Sequence, residues 1–148
     1  MRKIFTIGYE QATQAQVIGA LKAAGVKLVI DVRAVAASRR AGFSKGVLAA
    51  SLKEEGVDYL HLKALGTPKA GREAARAGRT EEMRRIFEGH LAEPEAVTAF
   101  EGAAELAEAR PAALLCYEAD PACCHRRILT DRLAQERGFT VCDLRASL

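Results

Sequence analysis

Three features of the sequence predict an α/β fold in which a mostly parallel sheet carries helices on both faces. Short apolar stretches alternate along the chain with longer segments of helical periodicity. The stretch Lys27–Val32 is almost entirely apolar, which is typical of a strand buried on both faces of a parallel sheet. Each such stretch is separated from the next by enough chain for a helical crossover, which parallel neighbours require.

The apolar stretches predict five strands within one domain that spans residues 1–148. We therefore expect a sheet of about five strands between two helical layers, which is a Rossmann-like three-layer arrangement. The predicted strands are residues 3–7, 27–32, 57–62, 112–117 and 139–144.

Helix boundaries follow from residues that cap or end helices. Thr13 with Gln16 forms a capping-box pattern before an apolar stripe, and this helix is expected to stop near Gly25. Asp120 followed by Pro121 predicts the start of the last helix, which should end at Gly138. Further helices are predicted from Ser44 to Gly56, over Thr80–His90 and over Glu93–Ala109, with a long basic loop over Lys63–Gly78.

The composition is that of a globular protein, with 49% hydrophobic and 28% charged residues in a chain of 148. No apolar run approaches the length of a membrane span, and the amino terminus turns polar too quickly for a signal peptide. We therefore expect a soluble cytoplasmic protein with no membrane partner. The four cysteines do not form the pattern of a disulfide framework, so they are expected to be reduced thiols.

The net charge of +3 is too small for a protein that coats nucleic acid, but the positive charge is unevenly distributed. Residues 63–85 carry seven lysines and arginines against three glutamates. This excess is typical either of a solvated helix and loop surface or of an electrostatic footprint for a polyanion. Both interpretations stay open at this point.

Polar side chains follow several predicted strands at the point where each strand ends. Because the carboxyl ends of parallel strands meet at one edge of a sheet, we expect these side chains to line a common cleft. Guanidinium groups in such a cleft suit phosphate oxygens, and the positive end of the last helix adds to the same field. The residues concerned are Tyr9, Glu10, Asp31, Arg33, Ser38, Arg39, His61, Lys63, Glu118, His125 and Arg126.

Several short motifs resemble the bacterial family known as domain of unknown function 488. The most specific is Cys116–Glu118 followed by Cys124–Arg126, and the resemblance extends over nearly the whole chain. It implies an α/β fold and an intracellular bacterial protein, and it implies no particular activity. The other motifs are Thr6–Glu10, Asp31–Arg33, Ser38–Arg39, Gly42–Ser44, Tyr59–Leu62 and Leu65–Gly66.

The leading hypothesis for function is a site for a phosphate-bearing ligand, either a nucleotide or a nucleic acid. Asp31 or Glu118 is the candidate general base and His125 the candidate acid or orienting group, which suits hydrolysis or transfer. A structural alternative is that Asp31 and Arg33 pair with each other or with Glu118 and only fix the loops. Whether turnover occurs is left open, and the sequence identifies no cofactor. The candidate ligand-binding residues are Tyr9, Arg33, Ser38, Arg39, His61 and Arg126.

Two alternatives concern the same cleft or its surroundings. Cys116 at the end of a strand is similar to the nucleophile of rhodanese sulfurtransferases, although nearby carboxylates oppose a thiolate there. A non-catalytic nucleic-acid module would explain the basic segment 63–85, but the sequence contains few aromatic residues and no nucleic-acid-reading signature.

A metal site built from Cys116, Cys123, Cys124 and His125 is not expected. Their spacing matches no common zinc pattern. Adjacent residues on a helix also point about 100° apart, which would separate Cys124 from His125.

Overall fold

The computed structural model describes residues 2–121 and 124–146 and confirms the α/β fold class. Within these two ranges, five parallel strands form one sheet with the order β3-β2-β4-β1-β5. The strands are β1 (Lys3–Gly8), β2 (Leu28–Asp31), β3 (Asp58–His61), β4 (Ala112–Cys116) and β5 (Thr140–Asp143).

Six α-helices flank this sheet in the described part of the chain, together with a 3₁₀ turn over Lys63–Leu65. The helices are α1 (Gln14–Ala23), α2 (Lys45–Glu54), α3 (Lys69–Arg76), α4 (Thr80–Leu91), α5 (Pro94–Ala109) and α6 (His125–Arg137).

Side chains of each strand alternate between two apolar cores, one on each face of the sheet. Along β4, Leu114 and Cys116 belong to a core that also contains side chains of α4, α5 and α6. Ala113 and Leu115 belong to the opposite core, which contains side chains of α1 and α2. The expected three layers are therefore present.

The chain reverses its direction across the sheet between the first and second halves. The connections after β1 and β2 run toward one edge through α1 and α2. The connections after β3 and β4 run toward the other edge through α3–α6, which pack on the other face. Right-handed crossovers account for this change of face. Strand β4 lies between β2 and β1, so the connection after β4 diverges from those of both neighbours at the carboxyl edge.

Local signals in the sequence place some helix boundaries correctly. The capping box at Thr13 is confirmed, because its side chain accepts a hydrogen bond from the Gln16 N–H and Gln16 bonds back to the Thr13 N–H. Ser44 precedes α2 as expected, but its hydroxyl bonds to the backbone of Ser38 instead of capping the helix.

Two boundary predictions were wrong. Residues 63–78 are not one loop, since they contain the 3₁₀ turn and α3. Gly71, which falls within the predicted loop, lies in α3 and allows close packing there, since a Cβ would lie 2.5 Å from Cγ2 of Thr67. The last helix begins at His125 and not at Pro121, because Cys124 has extended backbone angles and occupies the N-cap position.

No helix among residues 2–121 and 124–146 combines the length and the apolar character that crossing a membrane requires.

The absence of a side chain at Gly8 should be essential to the end of β1. A Cβ at this position would lie 1.8 Å from the carbonyl oxygen of Glu118, so the loop after β4 can pack on β1 only with glycine there. We predict that Gly8→Ala lowers the free energy of unfolding by about 1–3 kcal/mol, as overpacked substitutions do.

Gly19→Ala is the matched control, because Gly19 lies inside α1 and a Cβ there would meet nothing within 4 Å. It should raise the stability by up to about 1 kcal/mol through helix propensity. Urea unfolding measures both variants, and equal stability of Gly8→Ala and the parent chain would contradict the packing argument.

Candidate functional site

A buried ion pair between Asp31 and Arg33 lies at the carboxyl end of β2. Nε of Arg33 donates to both carboxylate oxygens of Asp31 at 2.9 and 3.0 Å, and Nη2 donates to one of them at 2.6 Å. The Arg33 N–H donates to the same carboxylate at 3.0 Å. Asp31 is fully buried and Arg33 is 5% exposed. The structural alternative, in which these two residues pair, is therefore what the structure contains.

Aromatic residues from neighbouring segments complete this network. The Tyr59 hydroxyl donates to Asp31, and Nη1 of Arg33 donates to the Tyr9 hydroxyl at 3.0 Å and to the Phe43 carbonyl at 2.8 Å. The Tyr9 ring stacks on that of Phe43 with centroids 4.3 Å apart. The network thus joins β2 and β3 to the loops that follow β1 and β2.

The ionisation of the network is fixed by its own contacts. Burial lowers the pKa of Arg33, but the hydrogen bonds and charge of Asp31 outweigh this and leave the pKa above its ordinary value. Burial and the bond to Asp31 raise the pKa of Tyr59, so its hydroxyl stays a donor.

Two thiols and an imidazole, from Cys116, Cys124 and His125, form a cluster at the end of β4. This cluster, which we call the thiol–imidazole cluster, lies on the face of the sheet opposite to α1 and α2. The two sulfur atoms are 2.8 Å apart, and Nδ1 of His125 lies 3.8 Å from Cys116 Sγ and 3.6 Å from Cys124 Sγ. All three residues are buried. Nε2 of His125 is 2.7 Å from the Val32 carbonyl oxygen, which fixes the orientation of the ring.

Burial raises the pKa of the Cys124 thiol, and the adjacent Cys116 raises it further. Burial lowers the pKa of His125, but the charge and hydrogen bond of Cys124, with the Val32 carbonyl, raise it to a value above the ordinary one. The thiol form of Cys124 is therefore favoured over the thiolate.

The loop after β4 brings Glu118 beside this cluster. The thiol of Cys116 lies 3.8 Å from Oε1 of Glu118. Two hydrogen bonds join the loop to Glu10, which follows β1: the Glu10 N–H donates to the Tyr117 carbonyl at 2.8 Å, and the Ala119 N–H donates to the Glu10 carboxylate at 3.1 Å. The backbone geometry of the loop therefore depends on the end of β1.

Arg126 also supports this loop. Nη2 of Arg126 donates to the Glu118 carbonyl at 2.6 Å, and the residue is 1% exposed. Its Nε and Nη1 atoms have no hydrogen-bond partner among the residues that the structure describes.

A cavity of about 180 Å³ opens at the carboxyl edge of the sheet, between the Arg33 loop and the thiol–imidazole cluster. It lies where the connection after β4 diverges from those after β1 and β2. Residues of α3 and α4 close its far side. We call it the edge cavity, and its lining residues are Tyr9, Arg33, Ala34, Val35, Thr67, Arg72, Ala75, Met83, Cys116, Tyr117, Glu118 and His125.

The structure brings four of the predicted site residues to this cavity: Tyr9, Arg33, Glu118 and His125. Asp31 does not line it, since its side chain is fully buried, where it accepts hydrogen bonds from Arg33 and Tyr59.

The remaining predicted site residues lie elsewhere. Nε2 of His61 is 2.7 Å from the Arg33 carbonyl. Ser38 bonds within its own loop, Arg39 is exposed, and Arg126 is buried under the Glu118 loop.

Sequence reasoning missed Arg72 and the true position of Cys124. Arg72 comes from α3 and its Nη1 donates to the Thr67 carbonyl at 2.8 Å. The only sequence signal for Arg72 was the positive charge excess of residues 63–85, which the sequence analysis did not connect with the cleft.

The expected divergence of the Cys124 and His125 side chains was wrong, because Cys124 precedes the helix and its sulfur lies near Nδ1 of His125. Cys123 lies outside the described residues.

A family model described as "Domain of unknown function DUF488" matches residues 13–133, which is more than half of the chain. The chain belongs to the DUF488 family. No curated protein and no solved structure matches the chain.

The part of the chain that matches the DUF488 model contains nearly the whole edge cavity. Arg33, Arg72, Cys116, Glu118 and His125 all lie inside residues 13–133. Tyr9 and the strands β1 and β5 lie outside that range. The family model therefore includes every polar group of the cavity except the Tyr9 hydroxyl, and it does not include the strands β1 and β5.

The Asp31–Arg33 pair should be essential for stability. We predict that Asp31→Asn lowers the free energy of unfolding by about 3–5 kcal/mol, because it leaves the buried guanidinium of Arg33 without its counter-charge. Asp58→Asn is the matched control, since Asp58 pairs with Arg110 at an exposed position and should cost at most about 1 kcal/mol. Urea unfolding measures both, and similar losses in the two variants would contradict the assignment.

Proposed function

We propose that the edge cavity binds a small phosphate-bearing ligand, a nucleotide or the end of a nucleic acid, through Arg33 and Arg72. The observation that carries the proposal is the position of the cavity. It lies at the point of the sheet where neighbouring connections leave toward opposite faces, and open parallel sheets bind their ligands there.

Two guanidinium groups on the cavity wall, those of Arg33 and Arg72, support an anionic ligand. Arg33 uses Nε, both N–H groups of Nη1 and one N–H of Nη2 within its network, which leaves one Nη2 donor without a bond among the described contacts. Arg72 is half-buried, and its bond to the Thr67 carbonyl occupies one of its five donors. Two guanidinium groups with free donors suit phosphate oxygens better than a neutral ligand.

The size of the cavity limits what it can enclose. At about 180 Å³ it is smaller than the roughly 300–1,000 Å³ typical of sites for drug-sized ligands. It suits a phosphate group with a small attached moiety, and the rest of a larger ligand would lie outside. This favours a terminal phosphate over recognition of a base deep in the protein.

Glu118 is the general acid or base in the proposed site. Both ring nitrogens of His125 are engaged, one with Val32 and the other with the two sulfurs, so His125 orients its neighbours instead of transferring protons to the ligand. Asp31 likewise positions Arg33. Glu118 accepts a proton from a water or hydroxyl nucleophile, which makes hydrolysis or transfer at the phosphate the reaction that the site favours.

The rhodanese-like alternative has less support from the geometry. Cys116 does line the cavity, but its sulfur lies beside the Glu118 carboxylate, which opposes formation of the thiolate that a sulfurtransferase needs.

Arg72 should contribute directly to phosphate affinity. We predict that Arg72→Gln weakens binding of inorganic phosphate and of adenosine monophosphate by about 10- to 100-fold, which corresponds to one charge-assisted hydrogen bond. Isothermal titration calorimetry at low salt measures the affinity.

Arg76→Gln is the control, because Arg76 lies one turn further along α3, is exposed and does not line the cavity. Undetectable binding of every phosphate probe to the parent chain would overturn the proposal. If single-stranded oligonucleotides bind and both variants weaken them equally, the basic surface of residues 63–85 is the binding site and the cavity is not.

Glu118 should separate binding from turnover. In Glu118→Gln the negative charge is removed, so phosphate affinity should rise, while release of phosphate from nucleoside monophosphates should fall by about 100-fold or more. A malachite green assay measures the release. Unchanged release with unchanged affinity would exclude Glu118 from both roles.

A further inference from the structure

We propose that the thiol–imidazole cluster binds a zinc ion through Cys116 Sγ, Cys124 Sγ and His125 Nδ1, beside the edge cavity. This inference does not rest on the phosphate-bearing ligand. It rests on three soft or borderline ligand atoms that come from β4 and the start of α6 and lie within 4.8 Å of one another.

The distances within the cluster suit a tetrahedral ion. With zinc–sulfur bonds of about 2.3 Å and a zinc–nitrogen bond of about 2.0 Å, tetrahedral angles place sulfur and nitrogen about 3.5 Å apart and two sulfurs about 3.7 Å apart. The two sulfur–nitrogen distances are 3.8 and 3.6 Å. The sulfurs, at 2.8 Å, must separate by about 1 Å, which a small rotation of a thiol side chain supplies.

The contact of His125 with Val32 prepares the imidazole for a metal. A carbonyl oxygen only accepts hydrogen bonds, so in the neutral ring Nε2 carries the proton and Nδ1 keeps its lone pair. That lone pair faces the two sulfurs. A histidine that ligates through one nitrogen and donates to a backbone carbonyl through the other is the usual arrangement in metal sites.

Charge also favours a divalent ion in this place. Cys116, Cys124 and His125 are 4%, 2% and 7% exposed, so two thiolates there would be strongly destabilised without a cation. A zinc ion with two thiolates and one neutral imidazole has no net charge. The desolvation free energy for burying the neutral zinc complex is therefore far smaller than that for burying the two thiolates without the ion.

The fourth position of the ion would face the cavity. Cys116 and His125 line the edge cavity, and Glu118 lies beside Cys116 on the same wall. A water molecule from the cavity can fill that position. Three protein ligands and one accessible position are typical of zinc sites that act on a ligand, whereas structural zinc sites are closed by four protein ligands.

The first experiment uses the unaltered full chain without a histidine tag, purified with a thiol reductant and without chelator. Elemental analysis by plasma mass spectrometry should find about one zinc ion per chain. X-ray absorption at the zinc edge should show two sulfur ligands at about 2.3 Å and at least one nitrogen or oxygen ligand near 2.0 Å. Cobalt added after removal of zinc should give thiolate-to-metal charge-transfer bands.

Trace zinc with no cobalt bands in the reduced chain overturns the proposal, and so does a bound ion with no sulfur ligand. A Cys116–Cys124 disulfide in the purified chain that yields no metal binding after reduction also overturns it, and it would identify a redox pair instead. If the reduced chain binds phosphate but takes up neither zinc nor cobalt, the proposed function stands and only this inference is overturned.

Each of the variants Cys116→Ser, Cys124→Ser and His125→Gln removes one proposed ligand atom. Loss of an outer-shell partner weakens metal binding roughly 10- to 100-fold, and each ligand variant should weaken cobalt binding by more than that. Cys142→Ser and His90→Gln are matched controls, since Cys142 is a free cysteine of β5 and His90 bonds to the Ala64 carbonyl near the end of α4. Equal losses in ligand and control variants contradict the assignment. Arg72→Gln should keep full metal content.

Discussion

The carboxyl edge of this sheet depends on one buried ion pair. Nε and Nη2 of Arg33 donate to Asp31, and Nη1 donates to the Tyr9 hydroxyl and the Phe43 carbonyl. A buried guanidinium without such partners would be strongly unfavourable, so the loops after β1 and β2 are fixed in the arrangement that satisfies it. The wall of the edge cavity is therefore a consequence of charge compensation. Tyr59 extends the same constraint to the edge strand β3.

The alternation of side chains along parallel strands separates two kinds of chemistry on one sheet. Asp31 has the same orientation as Val29 and lies with the core of α1 and α2, whereas Cys116 lies with the core of α4, α5 and α6. The ion pair thus builds one side of the edge cavity and the thiol–imidazole cluster builds the other. Because β4 is in the middle of the sheet, both sides meet above its end.

Part of the candidate site could be inferred from residue types and strand ends. Tyr9, Arg33, Glu118 and His125 could be predicted to lie together because each follows a strand or lies in the first turns of the predicted last helix, and parallel strands end at one edge. Arg126 was expected beside them, but a residue at the start of a helix has several directions available, and its side chain supports the Glu118 loop. Arg72 could not be assigned, because its approach depends on how α3 packs against α4 across Gly71.

The sequence by itself determined the α/β class, the approximate limits of the five strands and the capped start of α1, since apolar periodicity and capping are local properties of neighbouring residues. The tertiary structure alone decided which charged groups neutralise each other and which remain free to meet a ligand. That choice depends on distances between segments far apart in the chain, as for the 2.8 Å between Arg33 and the Phe43 carbonyl. It also depends on where a helix begins, and the start of α6 at His125 is what brings Cys124 and His125 to the same point.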